Sequence, residues 1–148
     1  MAYKYAFEGY NEEVMARAYR VNLPISLKKS VELAKFLKGI DVKKAIDILD
    51  EIIDKKRVVP YTRYIQEMPH KKGEGIATGG YPVKAAIHFK KLLILAFKSA
   101  KEKELGEDLY IKSISARKGT SMWKMGRYLG RKAKRTNLEI VLEVKSKK

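Results

Sequence analysis

The sequence predicts an α+β fold, in which helices pack on a small antiparallel sheet and one long β-hairpin extends from it. Apolar residues recur at helical spacing in the first two thirds of the chain, and two segments near the C-terminus alternate as strands do. A long cationic stretch separates those two segments. The 148 residues suffice for a substantial core, so we expect a single domain over residues 1–148.

The N-terminal segment predicts an arm and a short helix. Residues 3–7 alternate aromatic and polar side chains, which suits a short strand or an extended arm. Asn11 precedes two glutamates, a pattern typical of a helix start because acids favour the positive end of the helix dipole. We therefore expect a short helix from Asn11 to about Arg20.

Two better-defined helices follow. Ser26 is placed to cap a helix over Leu27–Lys38, and Gly39 is placed as its left-handed stop. Asp41 is placed to cap the next helix, whose apolar residues keep near-ideal helical spacing up to Ile53.

A long loop and a long helix come next. Glycines and prolines interrupt any pattern from Val58 to Gly80, which predicts a loop. Pro82 suits the first turn of a helix that reaches about Leu105 and ends at Gly106. The broad apolar stripe predicts that this helix is the central, most buried one. Its members are Val83, Ala86, Ile87, Leu92, Leu93, Ile94, Leu95, Ala96, Phe97 and Ala100.

The last third predicts a hairpin at about residues 110–144. Leu109–Ala116 reads as a strand with a bulge near Lys112 and Ser113, and Leu138–Val144 alternates cleanly, with Glu139 pointing outward like Glu143. The two strands most simply pair antiparallel. The 21 residues between them exceed any tight turn, and two extended arms would project about 30 Å from the body.

The intervening segment carries a purely cationic charge. No acidic residue lies between Asp108 and Glu139, so nothing within the segment neutralises its cations and the counter-charge is expected from outside. The whole chain has a formal charge of +16, which favours a polyanion, most commonly nucleic acid. The cations of the segment are Lys112, Arg117, Lys118, Lys124, Arg127, Arg131, Lys132, Lys134 and Arg135.

Apolar residues lie among these cations. Met122, Trp123 and Met125, with Tyr128 and Leu129, suit stacking on unpaired bases. The alternative is a solvated basic loop whose Trp123 packs onto the body.

The Val58–Gly80 loop offers a second basic patch with Tyr61 and Tyr64 beside it. The alternative is a solvated connector. Its cations are Arg57, Arg63, His70, Lys71 and Lys72.

Several classes of function are disfavoured. The chain has no cysteine and only two histidines, so we expect no disulfide, no metal site and no thiolate nucleophile. It lacks a phosphate-binding loop, a dinucleotide fingerprint and a nucleophile motif, so we expect no enzyme, no cofactor and no small-molecule substrate. Neither a signal pattern nor a long apolar run is present, which predicts an intracellular protein without membrane association.

The order of these pieces resembles the large-subunit ribosomal protein L-twenty-two family in its archaeal form (L-seventeen in eukaryotes). The resemblance spans nearly the whole chain in unbroken order. The matching stretches are LPISLKKSVELAKFLKG at 23–39, KKAIDILDEII at 43–53, KKRVVPYTRY at 55–64, PHKKG at 69–73, GGYPVKAA at 79–86, LYIKSISARKG at 109–119, GR at 130–131 and LEIVLEV at 138–144.

The resemblance implies helices on a three-stranded antiparallel sheet with one greatly extended hairpin. It implies a body docked on large-subunit rRNA and a hairpin tip, here 119–131, that lines the nascent-chain tunnel beside ribosomal protein L-four. Met122, Trp123 and Met125 would face the tunnel and the nascent polypeptide. The hairpin residues that would hold rRNA are Arg117, Lys118, Lys124, Arg127, Arg131, Lys132, Lys134 and Arg135. The residues that would anchor the body are Arg57, Arg63, His70, Lys71, Lys72, Tyr81 and Lys84.

The sequence therefore predicts a structural, rRNA-binding protein of the cytoplasmic ribosome that assists subunit assembly and performs no turnover. The alternative is a sequence-tolerant DNA-binding protein that uses helices and a basic β-wing. A third reading, an enzyme acting on RNA, would need a titratable pair in a cleft.

Overall fold

A computed structural model describes residues 3–73, 75–106, 108–127 and 130–145. The predicted α+β class is confirmed, because helices pack against an antiparallel sheet with strand order β1-β7-β4. The elements along the chain are β1 (Met15–Leu23), α1 (Leu27–Leu37), α2 (Val42–Ile53), β2 (Val59–Pro60), β3 (Gly79–Gly80), α3 (Val83–Glu102), β4 (Leu109–Lys118), β5 (Met122–Trp123), β6 (Lys132–Ala133) and β7 (Thr136–Val144).

Strand β7 is the centre of the sheet. Ile140 lies opposite Ala18 of β1 on one side and opposite Ile114 of β4 on the other. The predicted antiparallel pairing of the two C-terminal strands is confirmed. The register shifts between Ile111 and Ser113, which places the bulge where the sequence predicts it.

The predicted helix from Asn11 to Arg20 is wrong, because this segment enters β1. The side chain of Asn11 accepts a hydrogen bond from the Glu13 N–H at 3.0 Å, but the turn that it closes does not continue into a helix. Ala16 and Ala18 are buried on either side of the exposed Arg17. Pairing with β7 therefore outweighs the local preference for a helix start.

The second and third predicted helices are confirmed as α1 and α2, but their caps differ from the prediction. Ser26 and Asp41 lie at the N-cap positions, yet neither side chain bonds to the backbone of its helix. The carboxylate of Asp41 instead lies 2.6 Å from the amine of Lys145. Gly39 has a φ of +84°, as expected for the left-handed stop.

The ends of the predicted loop are tied together. Strands β2 and β3 pair Val59 with Gly80 and Pro60 with Gly79. Glycine is needed at 79, because a Cβ atom there would lie 2.7 Å from the carbonyl oxygen of Val59. The close approach fixes both ends of the segment that carries the second basic patch.

Helix α3 supplies much of the core, as predicted, and ends at Glu102 rather than near Leu105. Phe89, Leu92 and Leu93 are fully buried. Ile87 and Ile94, which the sequence analysis placed in the buried stripe, are instead 38% and 39% exposed, so that expectation is wrong.

The outward position predicted for Glu139 is also wrong. Its side chain lies in the centre of β7 and the residue is only 2% exposed. The sequence alternation misassigned it because the N-terminal arm covers this face of the sheet, as its hydrogen bonds to Glu139 show.

The ladder between β4 and β7 continues toward the hairpin tip. The N–H of Gly119 donates to Arg135 O at 2.9 Å, and β5 pairs with β6. The N–H of Lys124 then donates to Arg131 O at 2.8 Å. Tyr128 and Leu129 of the expected tip lie outside the described residues, and a projection of about 30 Å from the body stays a prediction.

Within the described ranges, no helix combines the length and hydropathy required to cross a bilayer.

The central burial of α3 predicts the effect of truncating its largest core side chain. Phe89→Ala should lower the free energy of unfolding by about 3–5 kcal/mol, because it removes a fully buried ring from a packed core. Ile94→Ala on the same helix should cost less than about 1.5 kcal/mol, because that side chain is partly exposed. Urea denaturation followed by circular dichroism measures both. Equal losses would contradict this arrangement of the core.

Candidate nucleic-acid interface

Three adjoining depressions meet around Ser26 and Lys134. Here residues 118–121 and 132–135 of the hairpin face the N-terminal end of α1. Their volumes are about 430, 270 and 540 Å³. Among the residues that the structure describes, no acid lines them. We call this surface the basic junction, and its cations are Lys28, Lys29, Arg63, Lys84, Lys118, Lys132, Lys134 and Arg135.

Two helices direct their N-terminal ends at the basic junction. Ser26 precedes α1 and Pro82 precedes α3, and both residues line it. Neither helix has an acidic residue in its first turn, while Lys28 and Lys84 lie there. A lysine near the positive end of a helix dipole is unfavourable in isolation. The arrangement is therefore suited to an external anion such as a phosphate.

Arg135 is held at the edge of the same surface. One of its terminal nitrogens lies 3.5 Å from the carbonyl oxygen of Asn22. Its Nε atom is buried and has no hydrogen-bond partner among the described residues. The guanidinium of Arg135 adds its positive charge to the cations of the basic junction.

A buried carboxylate holds the backbone of the second basic patch. Glu32 of α1 accepts hydrogen bonds from the N–H groups of Thr62, Arg63 and Tyr64 at 3.1, 2.8 and 2.7 Å. Burial by itself would raise the pKa of Glu32, but these backbone donors outweigh it and lower the pKa. Glu32 is therefore a stable anion inside the protein.

Aromatic rings lie beside the cations of this patch. The ring centroid of Tyr64 is 5.7 Å from the amine of Lys28 and 5.5 Å from the guanidinium carbon of Arg63. The amine of Lys71 is 5.7 Å from the ring centroid of Tyr81. The patch thus combines charge with flat apolar faces, the two features that bind single-stranded nucleic acid.

The hairpin presents its apolar residues to solvent. Trp123 is 63% exposed and Met125 is 97% exposed. The amine of Lys132 on the opposing strand lies 4.6 Å from the ring centroid of Trp123. This exposure disagrees with the alternative in which Trp123 packs onto the body.

A sequence profile of the family described as "Ribosomal protein L22p/L17e" matches residues 18–143 of this chain. The chain belongs to this family. It is similar to proteins named "Large ribosomal subunit protein uL22" from three archaea. The relative from Picrophilus torridus is 46% identical over 112 residues, which are 76% of this chain and 74% of that protein. Those from Ignicoccus hospitalis and Archaeoglobus fulgidus are 38% and 32% identical, and the matches cover 90% and 95% of this chain and 90% and 96% of theirs.

Membership of this family confirms the family predicted from the sequence and makes the chain a ribosomal protein of archaeal type. A structural role in the ribosome is therefore favoured over the DNA-binding and RNA-processing alternatives. The family is a ribosomal rather than an enzymatic one, which supports the expectation that the chain catalyses no reaction.

The structure separates the binding residues that the sequence analysis predicted into two groups. Arg57 forms an ion pair with Glu51 at 3.1 Å, and His70 contacts the Ala77 carbonyl oxygen through Nδ1. Neither residue lines the basic junction, and the other predicted residues that do not line it are Lys71, Lys72, Arg117, Lys124, Arg127 and Arg131. The residues that do line it are Arg63, Tyr81, Lys84, Lys118, Lys132, Lys134 and Arg135.

Lys28 and Lys29 are not among the binding residues predicted from the sequence. Both line the basic junction, although lysine pairs on helices are usually solvated. A usable signal was present, because these lysines occupy the first turn of a helix that has no acid there. Cations at the positive end of a helix dipole are energetically disfavoured, so their presence there indicates that an anion binds nearby.

The expectation that no carboxylate of the protein neutralises the cationic segment is wrong at the base of the hairpin. Lys112 pairs with Glu143 at 2.9 Å, and Arg117 pairs with Glu139 at 2.7 Å. Both acids lie on β7, just beyond the acid-free stretch of sequence. Binding of rRNA by Arg117 stays a prediction.

Glu139 also fastens the N-terminal arm. Its carboxylate accepts hydrogen bonds from the Ala6 N–H at 2.9 Å and from the Tyr3 hydroxyl at 3.2 Å. Arg117 donates to the Lys4 carbonyl oxygen at 3.0 Å, and the ring of Tyr3 stacks on that of Tyr19 at 4.1 Å. The arm is thus tied to the sheet through an ion pair whose carboxylate is buried and whose arginine is exposed.

The role of Glu139 predicts the effect of neutralising it. Glu139→Gln should lower the free energy of unfolding by about 1.5–3 kcal/mol, because Arg117 loses its charged acceptor. The amide of Ala6 should also exchange with deuterium faster. Glu8→Gln is the matched control, since Glu8 is an exposed acid of the same arm. Unchanged exchange at Ala6 in the Glu139 variant would contradict this anchoring.

Proposed function

We propose that this protein binds large-subunit rRNA through the basic junction and the adjoining hairpin, and that this docking supports assembly of the large ribosomal subunit. The observation that carries the proposal is the acid-free basic junction at the positive ends of α1 and α3. Its relatives are named as proteins of the large ribosomal subunit, which supports large-subunit rRNA as the binding partner.

Binding would be driven mainly by phosphate contacts. Lysine and arginine side chains that approach phosphates release the counterions condensed on the nucleic acid, which favours association at low salt. The free N–H groups of the first turns of α1 and α3 add donors for the same oxygens. Tyr64 adds a ring on which an unpaired base can stack.

The hairpin would extend this contact into the ribosome. Lys118, Lys124 and Arg127 lie along the hairpin, on the path that an rRNA strand beside it would follow. Met122, Trp123 and Met125 are exposed apolar residues, which suits a surface that faces the nascent polypeptide in the exit tunnel of a cytoplasmic ribosome. Ribosomal protein L-four is the expected neighbour there, as the resemblance implies.

No chemical step is part of this function. The protein would act by shape and charge, as a fixed component that neutralises phosphates where rRNA segments come together.

The basic junction predicts a change in the salt dependence of binding. The double variant Lys132→Ala, Lys134→Ala should weaken binding to large-subunit rRNA by about ten- to a hundredfold and reduce the slope of log K against log salt by about 2, one for each phosphate contact removed. Filter binding over a salt series measures both quantities.

The matched control is Lys91→Ala, Lys98→Ala. These exposed lysines of α3 do not line the basic junction, so the slope should change by less than half as much. Equal slopes for the two double variants would contradict the proposed surface. Duplex DNA that competes as well as rRNA at fixed salt would favour the DNA-binding alternative instead.

A further inference from the structure

Glu32 is a buried acid in a strongly basic protein. The residue is 1% exposed, and its carboxylate faces the chain segment of the second basic patch. The donors to it are three consecutive backbone N–H groups, at 2.7–3.1 Å, and the hydroxyl of Thr62 at 3.4 Å. Consecutive N–H groups that converge on one anion fix the backbone that carries them.

The hydrogen bonds from residues 62–64 offset the desolvation cost of burying the charge of Glu32, so the carboxylate and this part of the loop backbone stabilise each other. The arrangement also has a geometric consequence. It holds the segment 62–64 against α1, although the segment lies in a long loop with exposed side chains.

The side chains that this backbone carries form one cluster with α1. Arg63 is exposed, and the ring centroid of Tyr64 lies 5.5 Å from its guanidinium carbon and 5.7 Å from the amine of Lys28. Lys28 and Glu32 are four residues apart on α1, so they lie on the same side of the helix. One turn of α1 therefore contacts Tyr64 twice, at its ring through Lys28 and at its backbone through Glu32.

We propose that Glu32 is a positioning residue for RNA binding. Its carboxylate holds residues 62–64 so that Arg63, Tyr64 and Lys28 form a preformed site for one nucleotide of single-stranded RNA. The base stacks on Tyr64 and the phosphate contacts the two cations. This inference rests on the proposed function and names a residue that touches no RNA itself.

The direction in which removal of the Glu32 charge changes RNA affinity distinguishes a positioning role from a purely electrostatic one. Removing an acid raises the net charge, which by itself strengthens binding to a polyanion. Loss of positioning weakens binding, because the loop then loses more conformational entropy when RNA orders it. Glu32→Gln is suited to the test, since it keeps the shape but directs an amide group at backbone donors.

The experiment compares Glu32→Gln with Glu102→Gln in binding naked large-subunit rRNA at fixed salt. Glu102 is an exposed acid at the end of α3, so its variant has the same charge change without contact to the loop. We expect Glu32→Gln to bind about tenfold more weakly, as for loss of one well-placed charged contact, and Glu102→Gln to bind as well as wild type or slightly better. Equal affinities of the two variants would overturn the proposal.

A second comparison separates positioning from general loss of structure. In an Arg63→Ala, Tyr64→Ala background, Glu32→Gln should have little further effect on affinity, because both loop side chains that it positions are gone. The same tenfold loss in both backgrounds would overturn the role. Wild-type protein that fails to bind rRNA would instead contradict the proposed function. Failure of the proposed function can therefore be told apart from failure of the inference about Glu32.

A measurement on unmodified protein covers the case in which Glu32→Gln does not fold. The amides of Thr62, Arg63 and Tyr64 should already be protected from hydrogen exchange in the free protein, with little change when rRNA binds. Unprotected amides that become protected only with RNA would show that the site is not preformed.

Discussion

An excess of positive charge governs how this protein arranges its surface and its buried acids. The chain has 33 Lys and Arg against 17 Asp and Glu, so its own carboxylates cannot neutralise its cations. The folded protein does not spread the excess evenly. Lysines and arginines from α1, the loop before α3, α3 itself and the hairpin surround depressions that none of the acids in the described ranges lines. A surface of this kind is stable only with counterions, and a polyanion can replace them.

Two buried carboxylates organise the cationic segments around that surface. Glu139 joins Arg117 at the base of the hairpin to the N-terminal arm, and Glu32 joins the loop at residues 62–64 to α1. Both acids are almost inaccessible to solvent, and neither lines the basic junction. The fold thus uses these interior acids to fix geometry and keeps them apart from the cations of the proposed RNA-binding surface.

The sequence is sufficient to predict an element of the fold where one physical signal dominates. The apolar period of α2, the bulge beside Ser113 and the pairing of β4 with β7 were all predictable, because burial and strand alternation act locally there. Prediction was wrong where tertiary contacts decided. Asn11 has the chemistry of a helix cap, but the residues that follow it pair with β7 and form a strand. The alternation of β7 predicts an outward Glu139, but the N-terminal arm covers that face of the sheet and buries the side chain. The basic junction was only half predictable, since Lys28 lies about a hundred residues from the hairpin that it faces.

A lysine-modification footprint would locate the RNA-binding surface on the folded protein. Reductive methylation of the free protein and of its complex with large-subunit rRNA would report the reactivity of each lysine by mass spectrometry. If the basic junction is the RNA-binding surface, Lys28, Lys29 and Lys134 should lose most of their reactivity in the complex, and Lys98 on the outer face of α3 should lose much less. Junction lysines that stay as reactive in the complex as in the free protein would contradict the account.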